Sequence, residues 1–273
     1  MAGILDKYGI KEVADVTFYA LNDNGVPTNP VLYLDTLKVS TIEQTGEEAE
    51  ARGGKGNPPL LIWDYNKEIT VTLEDALFSA KSLAIMFGNG TAAEFNSAGS
   101  NANDPMVMRT MEFTFSGTAP STWLDNAGKQ HNMINPKYYN AAGESVASAN
   151  LVNGTKYFVT YDVAGAGSVI EISAQSFPGT YYVTGDTYAR NNESGEDEFF
   201  QFIIPKAKVQ SENTITLEAE GDPSTFSMNL RVLRPADGVM MKLIKYQPTA
   251  GTSVTASAKF IHNHQLAGTN AQG

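Results

Sequence analysis

The stretch from Leu37 to Phe87 constrains the fold more than any other, because two well-patterned limbs flank an insert too polar to pack. In the first limb Leu37 and Val39 alternate with Lys38 and Ser40. In the second, Ile69, Val71 and Leu73 alternate with Glu68, Thr70, Thr72 and Glu74. A period of two is the signature of a strand with one buried face. Between the limbs lies Gly46-Glu-Glu-Ala-Glu-Ala-Arg-Gly-Gly-Lys-Gly-Asn-Pro-Pro59. That connection is far longer than the two to five residues usual in hairpins, which predicts a loop that orders against a partner.

A helix is expected next. Ala76, Leu77, Ala80, Leu83, Ala84 and Phe87 fall on one face of a 3.6-residue period, with Thr72 and Asp75 as its capping pair and Gly88-Asn89-Gly90 as its stop. Elsewhere the pattern is β. Strands are expected over Val16 to Leu21, Met111 to Phe115, Lys156 to Val163, Ile170 to Ala174, Tyr181 to Val183, Phe199 to Val209, Ile215 to Ala219, Phe226 to Val232 and Val239 to Tyr246. Turns are expected at Asn22 to Pro30 and at Gly165-Ala-Gly167, and Gly117 to Ala149 reads as irregular. The fold class that follows is mainly β: an antiparallel sandwich or barrel with one flanking α-helix and a long β-hairpin loop. One β domain spanning 1–273 is expected, with an inserted subdomain near 117–198 and a loosely held end after about Gln265.

Composition narrows the function. Charged residues are only 18% of the 273, as in a subunit that hides much of its surface in contacts. A net charge of −11 opposes general nucleic-acid binding, which wants a basic face. With no cysteine, disulfides, thiolate zinc sites and thiol nucleophiles are excluded. No signal peptide is read at Met-Ala-Gly-Ile-Leu-Asp-Lys, and no apolar run approaches the ~18 residues of a membrane span.

No motif carries catalysis. Arg52-Gly-Gly-Lys-Gly56 lacks P-loop spacing and runs into prolines, so a contact loop is the better reading. His262 and His264 could share a strand face, but a third metal ligand is not evident nearby. His131 has no partner that spacing identifies. The carboxylates at 47, 48 and 50, and at 193 and 196–198, lack calcium-loop spacing and read as solvated faces. Tyr138-Tyr139, Tyr181-Tyr182 and Phe199-Phe200 each put one ring on either side of a strand. No enzyme, cofactor or metal site is therefore expected. The open alternatives are a structural subunit and a carbohydrate-binding β-sandwich with Trp63, Trp123 and the tyrosines as the sugar platform.

Three segments carry a family resemblance: Leu37 to Phe87, Phe177-Pro-Gly-Thr-Tyr181 leading to Phe202-Ile-Ile-Pro-Lys-Ala-Lys-Val209, and a terminal hairpin from Ser227 to Tyr246. Together they resemble the major tail (tail tube) proteins of tailed bacteriophages. The resemblance implies a structural virion protein, assembled in the host bacterial cytoplasm; the alternative within that reading is another virion component, such as a capsid decoration or baseplate protein. Six copies would form a ring, and rings would stack into a tube through which genomic DNA passes without specific binding. The implied partners are further copies of the chain, a tail terminator, a baseplate or initiator complex, and tape-measure or sheath proteins. Gly46–Pro59 matches the loop that reaches the next ring, which makes Glu47, Glu48, Glu50, Arg52, Lys55 and Asn57 candidate inter-ring contacts. The flanking strands become candidate lumen staves, with Lys38, Ser40, Glu68, Thr70 and Thr72 on the polar face.

Overall fold

The structure, a computed structural model, describes residues 7–10, 12–88, 90, 92–96, 107–213, 215 and 225–246. The expected strand at 217–219, the His262/His264 pair and the chain end lie outside the described residues. In chain order the elements are β1 (Tyr8–Ile10), β2 (Asp15–Leu21), β3 (Pro27–Leu34), β4 (Leu37–Arg52), β5 (Pro59–Asp75), α1 (Ala80–Met86), β6 (Ala93–Asn96) and β7 (Val107–Thr114). Then follow β8 (Thr122–Leu124), β9 (Gln130–Asn132), β10 (Ile134–Tyr139), β11 (Ser145–Val146), β12 (Lys156–Val163) and β13 (Ala166–Val169). The chain continues through β14 (Thr180–Asn191), β15 (Asp197–Val209), β16 (Phe226–Val232) and β17 (Lys242–Tyr246). The protein is mainly β and antiparallel with one α-helix, and no sheet closes into a barrel among the described residues.

Two compact units share the chain: Met1–Thr91 with Ile170–Gly273, and Ala92–Val169. The bounds of the second differ from the 117–198 expected for an insert. Residues 180–198 instead fall in β14, β15 and the turn between them, at the centre of the first unit's sheet.

In the first unit nine strands form one sheet, ordered β3-β2-β14-β15-β16-β5-β4, with β1 added to β14 and β17 to β15. The alternation read from sequence places its core. Val16 and Phe18 of β2, Ile69, Val71 and Leu73 of β5, and Met228, Leu230 and Val232 of β16 are buried together with Ile204, Ala207 and Val209 of β15. Each fully buried side chain of this size contributes about 1.5–3 kcal/mol relative to exposure. Ile85 and Met86 of α1 pack onto the same cluster.

The helix is shorter than its pattern. Ser79 is its N-cap, in a capping box with Ser82, and Leu77 is exposed. Asp75 is no cap. It ends β5, buried, and accepts from the Thr36 hydroxyl and the Leu77 backbone N–H. The buried helical residues are Ser82, Ala84, Ile85 and Met86, because the helix starts after the chain has already turned away from Ala76 and Leu77.

Ser227 to Tyr246 is not a hairpin. Its two strands never pair with each other; both add to β15, β17 over Phe199–Ile203 and β16 over Ala207–Val209. The changeover falls at Pro205, within the β14–β15 register shift. Proline has no N–H to donate to a ladder, so a strand that changes partners there loses nothing.

The second unit has its own core of Met133, Tyr138, Leu151, Tyr157, Val159 and Tyr161. A four-stranded sheet β11-β10-β12-β7 carries most of it, and β8 pairs with β9 inside the region expected to be irregular. Gly165-Ala-Gly167 is no turn: Ala166–Val169 is a strand paired with Ala93–Asn96, which joins the two ends of this unit in one ladder. Ile170 to Ala174, in consequence, is not a strand.

Candidate functional site

The insert expected to be a loop is a projecting hairpin. Strand β4 runs 16 residues and β5 17, leaving only Gly53–Pro58 as the connection. The sequence cue was the alternation of Ala49 and Ala51 with Glu48, Glu50 and Arg52, which glycine content and polarity obscured. The two strands pair from Leu37↔Asp75 to Arg52↔Pro59. Past Thr45↔Glu68 the arm extends on the order of 25 Å at the usual strand rise. None of its residues belongs to the buried core.

Three register shifts interrupt this ladder, the last between Ala51 and Arg52 at the tip, and the first two set which way the side chains up to Ala51 point. The first lies between Leu37 and Val39 and leaves Lys38 without a cross-strand partner. One extra residue reverses the facing of all that follows. Ser40 therefore pairs with Leu73 and shares its inward face, with its hydroxyl buried. It does not lie with Glu68, Thr70 and Thr72 as the alternation suggested. The residues opposite those three are Thr45, Glu43 and Thr41. Asn229 and Arg231 of β16 continue that polar face, the first hydrogen-bonded from Thr72 at 3.0 Å and the second ion-paired with Glu68 at 2.6 Å.

The second bulge sits between Thr45↔Glu68 and Glu47↔Tyr65 and takes up Asn66 and Lys67 on β5. Asn66 adopts φ 52°, in the left-handed region that asparagine tolerates, and its amide donates to Glu47 at 3.3 Å. Beyond it the arm is two-faced. One side carries Glu47, Ala49 and Ala51 against Tyr65, Trp63 and Leu61. The other carries Glu48 and Glu50 against Asp64 and Ile62. Arg52 donates to Glu50 at 2.6 Å, while Lys55 and Asn57 lie in the turn. Of the six candidate contacts, four are thus on strand β4 and two at the tip. Leu61 and Tyr65 were not anticipated individually; with Trp63, expected only as part of a sugar platform, they form an exposed apolar stripe, Trp63 at 53% exposure. Burying the exposed half of such a side chain contributes about 1 kcal/mol or more, so the stripe favours a partner surface.

The sugar-platform reading loses one of its two tryptophans. The Trp123 ring is stacked on His131 at 4.8 Å and overlaid by the Arg109 guanidinium at 4.4 Å. His131 does have a partner: its Nε2 lies 2.8 Å from the Asp125 carboxylate. That bond, with backbone N–H donation from Lys129 and Ala127, holds the Asp125 carboxyl below its ordinary 3.8. A carboxylate depressed on folding contributes stability that is present above 3.8 and is lost as pH falls through the lower folded value. Asp125→Asn should therefore melt below wild type at neutral pH, and the gap should close under acid. Thermal melts followed by Trp123 fluorescence in a Trp63→Phe background check this; a gap independent of pH would refute it.

Among the described residues no group of three or more metal-ligating side chains assembles, and no helix is long and apolar enough to cross a membrane. The sequence profile of the YomU/Tube protein family matches residues 8–245. A relative named tail tube protein, from Bacillus phage SPR, is 24% identical over 225 residues, which cover 77% of this chain and 78% of the relative.

Proposed function

Because the chain belongs to the YomU/Tube protein family, we propose that it is the structural subunit of a phage tail tube, built from stacked rings of this one chain. The observation that carries the reading is the hairpin arm. It stands clear of the core, presents an apolar stripe that the subunit leaves uncovered, and has the reach to contact a neighbouring layer. The sheet adds support. Among the described residues its terminal strands β3 and β4 each have an unpaired edge, a hazard for a lone subunit that ring closure removes. A head-to-tail contact between rings does not close, so the assembly grows as a filament. Six copies per ring, a lumen for DNA, the tail terminator and the baseplate initiator follow from the resemblance of the sequence to tail tube proteins. The chain then works in the virion tail as a building element and not as an enzyme. The lumen face is assigned to Thr41, Glu43, Thr45, Glu68, Thr70 and Thr72, the polar side of the β4–β5 pair.

Negative-stain microscopy of the purified protein over a range of concentrations tests the reading. Rings or hollow tubes are expected. A chain that stays monomeric at every concentration, with or without an initiator complex, would contradict it. Copy number separates the tube from a decoration or baseplate role, since a tube subunit is among the most abundant virion proteins and a baseplate part is scarce.

A further inference from the structure

The base of the arm holds a groove of about 950 Å³, lined among others by Lys67, Glu68, Arg231, Leu233, Arg234 and Met240. Its acids are already engaged: Glu68 with Arg231 at 2.6 Å, and Glu47, also in the lining, with the Asn66 amide at 3.3 Å. Lys67 and Arg234 are exposed and form no ion pair among the described residues. The arm shows the reverse imbalance. Glu48 and Asp64 stand directly opposite each other across the ladder, and neither is ion-paired among the described residues. Like charges so placed weaken a strand pair unless a cation relieves them.

These two surfaces cannot meet within one chain. The groove is lined by Thr45, Glu47, Glu68 and Arg231, which share one side of the hairpin, whereas Glu48 and Asp64 project from the other. A second copy brings them together. Resting on the tube reading, we propose that the groove at the base of one arm receives the acidic face of the arm of a second copy, with Glu48 and Asp64 against Lys67 and Arg234. Leu233 and Met240 in the groove offer apolar contact to Ile62, exposed on the same arm face. The contact joins unlike surfaces, so copies placed one above another along the tube axis repeat it as a head-to-tail stack of arms.

The test is a charge exchange on the full chain, with polymerisation read by sedimentation and negative-stain microscopy. One variant carries Lys67→Glu and Arg234→Glu, another Glu48→Lys and Asp64→Lys, and a third all four. All four positions are exposed, and circular-dichroism melts confirm that the variants fold. Each two-site reversal is expected to raise the concentration needed for tubes about tenfold or more, and the four-site variant to return within about threefold of wild type. Reversals that leave that concentration unchanged, or a four-site variant no better than its parents, overturn the contact while the tube reading stands. A wild-type chain that never polymerises overturns both.

Discussion

Excising Gly46–Lys67 and joining Thr45 to Glu68 through Asn-Gly is expected to yield a folded subunit that forms no tubes. Thr45 and Glu68 are direct partners, so a two-residue turn can close the shortened hairpin. The removed residues contribute nothing to the buried core, which ends at Ile69 on this side. Stability should therefore change by no more than about 1 kcal/mol, as for other surface changes. Assembly should fail. Loss of Leu61, Trp63 and Tyr65 at about 1 kcal/mol or more each removes about 3 kcal/mol per contact, a hundredfold or more in the concentration needed. Urea denaturation and sedimentation measure the two effects separately. Tubes formed by the excised chain at wild-type concentration would refute the role given to the arm.

The second large effect is expected inside the sheet. Gly185 lies in β14 directly opposite Phe202 of β15, and the Phe202 ring lies over it. A Cβ on residue 185 would come within 2.1 Å of that ring. Phe202 is buried among the core residues and has no solvent to swing into. Gly185→Ala should cost about 2–3 kcal/mol by overpacking, and Gly185→Val more. Phe202→Leu in the Gly185→Ala background should recover part of that loss, giving a coupling of about 1 kcal/mol or more between the two sites. Urea denaturation of the four proteins checks this; additive effects would show that the ring and the glycine do not press on each other.

This pair marks what one sequence conceals. The strand around Gly185 is readable from Tyr181 to Val183, but its partner's register is not, so the glycine carries no visible purpose until Phe202 lies over it. The mainly β class, the faces of β5 and β16 and the existence of the helix were legible, because each depends only on local period. Ser40 was misplaced because a single bulge at Lys38 reverses the facing of the residues after it, and no residue type announces it. The arm was legible as an insert but not as strands. Its alternation of alanine with charged residues becomes a ladder only once Leu60 to Tyr65 lies alongside. Gly88 is a milder case. Its stop to the helix was expected, and its φ of 88° favours glycine, but the missing Cβ also leaves room for the Phe177 backbone, which the sequence does not announce. The two strands 226–232 and 242–246 looked like a hairpin because they are neighbours in sequence, yet Pro205 lets one long strand serve both.

The central claim is that the arm joins one ring to the next. An image reconstruction of the assembled tube by electron cryomicroscopy, at a resolution that traces β-strands, measures it directly. The account predicts that density for Glu47–Tyr65 crosses the boundary of its own ring and lies against a subunit of the adjacent one. Density for the arm confined to its own ring, or turned out from the tube wall with no neighbour against Trp63, would contradict it.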